Sequence, residues 1–143
     1  IIDTSTVFSQ LNGPQFRAVP SFRNAVLGTS YYIIIKHRNS IETWSANPVV
    51  FNSDTAVYDF TTSLNKAYGN NMVLVNNEAS IYTGETEDDG LIDMSDVIRI
   101  YNDAIVFTTG DAVTDLNGDD LIDLSDMLYA NNNAAKFVII VKP

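Results

Sequence analysis

Residues 85–96 read Glu85-Thr-Glu-Asp-Asp-Gly-Leu-Ile-Asp-Met-Ser-Asp96, and residues 115–126 read Asp115-Leu-Asn-Gly-Asp-Asp-Leu-Ile-Asp-Leu-Ser-Asp126. They are two copies of one unit. Setting residues 84–107 over 114–137, an offset of 30, gives nine identities in 24 positions: Asp89 with Asp119, Leu91 with Leu121, Ile92 with Ile122, Asp93 with Asp123, Ser95 with Ser125, Asp96 with Asp126, Asn102 with Asn132, Ala104 with Ala134 and Phe107 with Phe137. Self-similarity at a fixed period marks one supersecondary unit used twice. Within each twelve-residue stretch, oxygen-bearing side chains fall at positions 1, 3, 5, 9 and 12. They are Glu85, Glu87, Asp89, Asp93 and Asp96 in the first, and Asp115, Asn117, Asp119, Asp123 and Asp126 in the second.

This is the ligand spacing of a calcium-binding loop of the EF-hand type, with a backbone carbonyl expected at position 7 from Leu91 and Leu121. A hard divalent cation takes six to eight oxygens at ~2.3–2.6 Å, and a tightly turned loop aims alternate side chains inward before the twelfth residue closes the shell. Two calcium ions are expected, one per loop. Ile92 and Ile122, at position 8, are expected to face each other across a short β-bridge. The copies depart from the ideal in different places. The first has Gly90 at the position 6 hinge but the longer Glu at positions 1 and 3; the second has the better ligands but Asp120 at the hinge, where left-handed backbone is wanted. Both end on Asp, a shorter arm than Glu. One degenerate match would read as an acidic surface turn; two in tandem, with the same apolar position 8 and the same Ser-Asp ending, weigh against that.

Met94, Val97, Ile98 and Tyr101 follow the first loop at i, i+3, i+4 and i+7, matched by Leu124, Met127 and Leu128 after the second, so a short helix is expected after each loop. The residues before each loop look extended or irregular, so no entering helix is expected. A tandem pair of loop-then-helix units resembles the dockerin domain, the calcium-dependent module that attaches some secreted bacterial proteins to cohesin partners. The resemblance covers residues 84–137. It implies that positions 10 and 11, here Met94-Ser95 and Leu124-Ser125, lie on a partner-reading surface, with a cohesin-like domain as partner. With Tyr31-Tyr-Ile-Ile-Ile-Lys-His-Arg-Asn-Ser-Ile-Glu-Thr-Trp-Ser45, Tyr58-Asp-Phe-Thr61 and Ala67-Tyr-Gly-Asn-Asn-Met72 upstream, the chain also resembles C-terminal regions of large extracellular proteins from Bacteroidetes and Ignavibacteria, which implies a secreted, cell-surface setting.

Working outward, the chain has 143 residues, 45% hydrophobic and 18% charged, enough to build a core in one or two small domains. It has no cysteine, which excludes disulfides, thiolate metal sites and a Cys nucleophile. Starting at Ile1, it is expected to be a processed protein or a part of a longer one. The net charge of −10 disfavours a polyanionic partner such as nucleic acid, and no apolar run is long enough for a membrane span. Charge is unevenly placed: residues 1–77 carry four acids and five bases, whereas residues 78–143 carry fourteen acids and three bases. Something must offset that repulsion, and bound calcium would.

The first half reads as strands, at residues 1–8, 30–37, 49–52, 56–60, 72–75 and 79–82, separated by Gly, Asn and Pro turn signals. The expected architecture is mainly β with a small α part: an immunoglobulin-like or prealbumin-like antiparallel β-sandwich over residues 1–83, then the dockerin-like two-calcium unit over residues 84–143, ending in a β-prone segment at residues 137–141. Nothing assembles an enzyme. His37 is the lone histidine, with no nucleophile spacing around it, and no phosphate loop or nucleophile elbow is present. Trp44 with Tyr31, Tyr32 and Tyr58 is either core or a sugar-stacking platform. Asp54-Thr-Ala56 fits a short bacterial O-glycosylation pattern. The expected function is a calcium-binding extracellular structural or adhesive module whose partners are other protein chains, copies of itself included; docking to a cohesin-like domain and carbohydrate binding are the alternatives.

Overall fold

Among the described residues, short runs interrupted by turn residues form three separate two-stranded antiparallel ladders, followed by two helices. The computed structural model describes residues 3–5, 18–53 and 55–143. Most of the expected strand at residues 1–8, and Asp54 of the glycosylation pattern, lie outside them. The chain divides into two compact units, one made of Ile1–Tyr31 and Val49–Val57, the other of Tyr32–Pro48 and Tyr58–Pro143.

In the first unit, β1 (Ser30–Tyr31) pairs with β4 (Val49–Val50). The Tyr31 ring meets Phe51 edge-on at 5.7 Å, and its hydroxyl accepts the Val26 N–H at 3.0 Å.

The second unit carries the rest. Here β2 (Ile34–His37) and β3 (Ser40–Trp44) form a hairpin with Ile34 opposite Trp44 and His37 opposite Ser40. The expected single strand over residues 30–37 is thus broken at Tyr32 and Ile33: its first residues pair with β4 and its last with β3. Ser40–Trp44 is a strand that the sequence does not announce, because Ser-Ile-Glu-Thr-Trp breaks the polar-apolar alternation at Thr43. Its inner positions nonetheless bury Ile41 and Thr43 almost completely. Residues 56–60, expected as a strand, form no ladder; Asp59 instead accepts the Thr61 N–H at 2.8 Å, a side-chain turn that competes with sheet pairing. The third ladder, β5 (Val73–Val75) with β6 (Glu78–Ser80), turns on Asn76 and Asn77, at φ 50° and 67°. Two consecutive left-handed residues make the turn that matches strand twist, and Asn tolerates that conformation. Among the described residues the ladders stay two-stranded, and a closed sandwich is not formed.

Both expected helices are present, α1 at Met94–Ile105 and α2 at Leu124–Ala134. Each starts on a reciprocal cap. Asp93 and Asp123 accept the N–H of Ser95 and Ser125 at 2.7 Å, while Asp96 and Asp126 accept the N–H of Asp93 and Asp123 at 2.9 and 3.0 Å. The apolar face that packs is Val97 and Ile100 with Ala104, closed by Ile122 and Ala130. Met94, Ile98, Tyr101, Leu124 and Leu128, whose periodicity announces the helices, are exposed. A second core joins β3 to the repeat through Ile41, Ile92 and Val138, and a third lies under β5 and β6 at Ala67, Met72 and Ala79.

Candidate metal centre

The two loops share one hydrogen-bond framework, residue for residue at the offset of 30. At position 1, Glu85 accepts the N–H of Gly90 at 2.8 Å and Asp115 accepts that of Asp120 at 3.2 Å. At position 12, Asp96 accepts from Thr86 N–H and Asp126 from Leu116 N–H, at 2.7 and 2.8 Å, in addition to the cap bonds from position 9. At position 5, Asp89 and Asp119 each accept the N–H of the position 7 leucine at 2.9 Å. At position 9, hydrogen bonds from the Ser95 and Ser125 side chains and backbones hold Asp93 and Asp123 below the usual carboxylate range. At position 3, Asn117 accepts the Asp119 N–H at 2.9 Å, and both Asn117 and Glu87 are exposed.

Backbone conformation repeats as well. Gly90 and Asp120 are both left-handed, at φ 90° and 64°, so the hinge adopts the expected shape in both loops even where the residue is Asp. Phe107 and Phe137, just past the two helices, are left-handed at φ 56° and 51°, and both are largely exposed. A bulky residue is uncommon there.

Ile92 and Ile122 do not bridge each other. Ile92 donates to Val138 and Gly90 accepts from Ile140, at 2.9 and 2.8 Å; Ile122 donates to Thr108 and Asp120 accepts from Gly110, at 3.2 and 2.8 Å. Each loop thus pairs with a segment that follows a helix: loop 2 with the one after α1, loop 1 with the one after α2. Past each helix the backbone turns at Phe107 or Phe137 and runs antiparallel to a loop, so these segments occupy the ladder positions that the two loops would otherwise share. These bridges place Leu91 opposite Ile139 and Leu121 opposite Thr109 while the ladder bonds come from their neighbours, which leaves the position 7 carbonyls out of the ladder.

Burial is what distinguishes these loops from surface turns. Glu85, Asp96, Asp115 and Asp126 are 5%, 1%, 2% and 0% exposed. Among the described residues, ion pairs engage Glu42, Asp88 and Asp111 but none of these four. A buried carboxylate without a countercharge is costly even when N–H groups bond to it. Burial pushes the Glu85 carboxyl up, the Gly90 N–H opposes that, and the Asp96 charge adds to the rise. Two carboxylates sunk into each loop with only N–H and hydroxyl partners are an arrangement that a small divalent cation would complete. The donor set fits calcium, all oxygen and mostly carboxylate. Among the described residues no three acidic or His side chains are gathered as a ready cluster; the oxygens at positions 5 and 9 are turned to neighbouring N–H groups.

Two supporting contacts were not legible in the sequence. Arg99 on α1 donates to the Thr86 carbonyl, tying position 2 of loop 1 to its helix. Lys36 on β2 pairs with Glu42 at 3.2 Å and with Asp88, position 4 of loop 1, at 3.6 Å. The aromatics considered for sugar stacking form edge-on pairs: Trp44 with Tyr32 at 5.9 Å and Tyr58 with Phe60 at 4.7 Å. His37 hydrogen-bonds Asn39 at 2.9 Å. Among the described residues no helix is long and apolar enough to cross a membrane. No family model, curated protein or solved structure matches the chain.

Proposed function

We propose that this chain is a calcium-binding extracellular structural or adhesive module in which each repeat holds one ion. The observation that carries the reading is the quartet of buried carboxylates, Glu85 with Asp96 and Asp115 with Asp126, without a cationic partner among the described residues. Glu85, Glu87, Asp89, the Leu91 carbonyl, Asp93 and Asp96 would hold one ion; Asp115, Asn117, Asp119, the Leu121 carbonyl, Asp123 and Asp126 the other. Calcium would supply positive charge where the loops concentrate negative charge, and so would rigidify them. The chain's own residues do the rest. Their N–H groups hold positions 1 and 12 in place, and the caps join each loop to its helix. Extracellular calcium, near millimolar, suits sites with affinities of ~10⁻⁴–10⁻³ M.

Calorimetry of the full chain tests this: two ions per chain are expected, and a blank titration in millimolar calcium would remove the reading. Asp126→Ala should reduce the bound ions to one. A second reading, docking to another protein, is favoured by one specific observation. The same repeat positions expose apolar side chains in both copies: Met94 and Leu124, Ile98 and Leu128, Phe107 and Phe137. A cohesin-like partner and a second copy of the chain are its two candidate occupants, and sedimentation with and without calcium separates self-association from a monomer awaiting a partner. Carbohydrate binding would show as glycan retention lost in Trp44→Ala.

A further inference from the structure

Asn39 lies in the turn between β2 and β3 and is only 2% exposed. Its backbone carbonyl accepts the Gly84 N–H at 2.8 Å, immediately before position 1 of loop 1, and the Thr83 hydroxyl at 3.1 Å. Its side-chain Nδ2 donates to the carbonyl of Asp115, position 1 of loop 2, at 2.8 Å and across 76 residues of sequence. One buried residue therefore grips the start of both loops. The chemistry fixes its orientation: a carbonyl only accepts, so the amide presents Nδ2 to Asp115 and Oδ1 to His37. His37 Nδ1, 2.9 Å from Oδ1, must then carry a hydrogen and donate it. An amide supplies a donor and an acceptor at once. A carboxylate in its place would oppose the Asp115 carbonyl and add charge between two acidic loops.

We infer that Asn39 is a positioning residue that couples the two loops, so that calcium held in one raises the affinity of the other; this rests on the calcium reading above. Position 1 is where each loop begins to wrap its ion. Fixing the start of loop 2 fixes the Asn39 side chain, and a fixed Asn39 presents its carbonyl to Gly84 at the start of loop 1. The cost of ordering the turn is then met once for both ions, which is a coupling free energy between sites. The hairpin becomes part of the metal unit, and residues 84–137 alone lack the clip.

The test is a thermodynamic cycle in the full chain, with calcium as the probe. Asp119→Ala weakens loop 2 at an exposed position, and the affinity of loop 1 is measured by calorimetry with Asn39 and with Asn39→Ala. Expected is a loss of about tenfold in loop 1 affinity when loop 2 is weakened in the Asn39 chain, within the usual range of site coupling, and less than about twofold in Asn39→Ala. An equal loss in both backgrounds, with only stability lowered by Asn39→Ala, would mean a structural role and overturn the coupling. Hydrogen exchange in chelator supplies a metal-independent arm. Asn39→Ala should speed exchange in residues 84–92 and 115–122 together, and a change confined to the hairpin would overturn the inference. A chain that binds no calcium yet shows the paired exchange response would remove the calcium reading and keep the clip. Should Asn39→Ala not fold, Asn39→Ser, too short to reach Asp115, carries the same comparisons.

Discussion

Glu85 is under two opposed demands, since its loop buries it and its proposed ion requires it charged. A carboxyl whose pKa is raised on folding adds stability that is complete below its ordinary value of 4.5 and lost as pH rises through the raised value. In chelator the Tm should therefore fall as pH is raised across that window, and Glu85→Gln should flatten the slope. In millimolar calcium the slope should reverse, because the ion takes the ionised carboxylate. Parallel slopes in the two conditions would remove Glu85 as a ligand. Asp93 and Asp123 do not confuse the comparison: their lowered values place their effect below 3.8, with stability lost as pH falls. The hinge offers a second residue-level check. Gly90 has φ 90°, and an added Cβ would lie 3.1 Å from Ile140 Cγ2, so Gly90→Ala should cost about 1–2 kcal/mol in chemical denaturation. The repeated burial of positions 1 and 12 was legible because the two copies keep residue type at fixed spacing. Asn39 was not, because its value comes from a contact 76 residues away.

At the scale of elements, the segment after α2 closes the repeat. Residues 137–141 read as a β-prone segment that pairs either with another chain or within its own. Val138 is buried against Ile41 and Ile92, Ile140 donates to Gly90, and Val141 bridges Thr43 in parallel. Removing residues 138–143 should thus raise hydrogen exchange at residues 88–92 and 41–43 well before residues 118–122, whose partner segment at 108–110 is untouched. Equal exchange in both loops would contradict the pairing. The helices were legible from periodicity, yet of the residues that gave the signal only Val97 is buried. Burial selects Val97, Ile100 and Ala130, and small or mid-sized residues pack where two helices approach closely. The close approach of Gly84, whose added Cβ would lie 3.0 Å from the Ala130 backbone, belongs to the same packing. The Asn76-Asn77 turn was readable in principle, since paired left-handed Asn is a hairpin signal, whereas the break at Tyr32 depends on which strands compete for each half.

For the molecule as a whole, charge governs the response to conditions. Eleven carboxylates lie within the two twelve-residue loops, and two calcium ions would offset four of those charges. In chelator, raising salt from 0.01 M to 1 M shortens the screening length from about 30 to about 3 Å and should raise the Tm; saturating calcium should raise it further at constant ionic strength. If salt reproduced the whole calcium effect, the ion would be acting as an atmosphere and not as a ligand. In sedimentation at micromolar protein with calcium, self-association is expected, weakened by Phe107→Ser with Phe137→Ser; a clean monomer would leave docking to a different protein. The closure of the repeat has one more consequence, for synthesis. Loop 2 pairs with residues 10 and 14 positions away, Gly110 with Asp120 and Thr108 with Ile122. Loop 1 waits for partners 46 and 50 positions later, Val138 for Ile92 and Ile140 for Gly90. As the chain emerges from the ribosome, the loop made first is thus the one finished last. Until residue 138 is made, loop 2 has its partners while loop 1 still leaves Ile92 uncovered, a difference that a protease can read, so residues 138–140 act as the seal on the repeat.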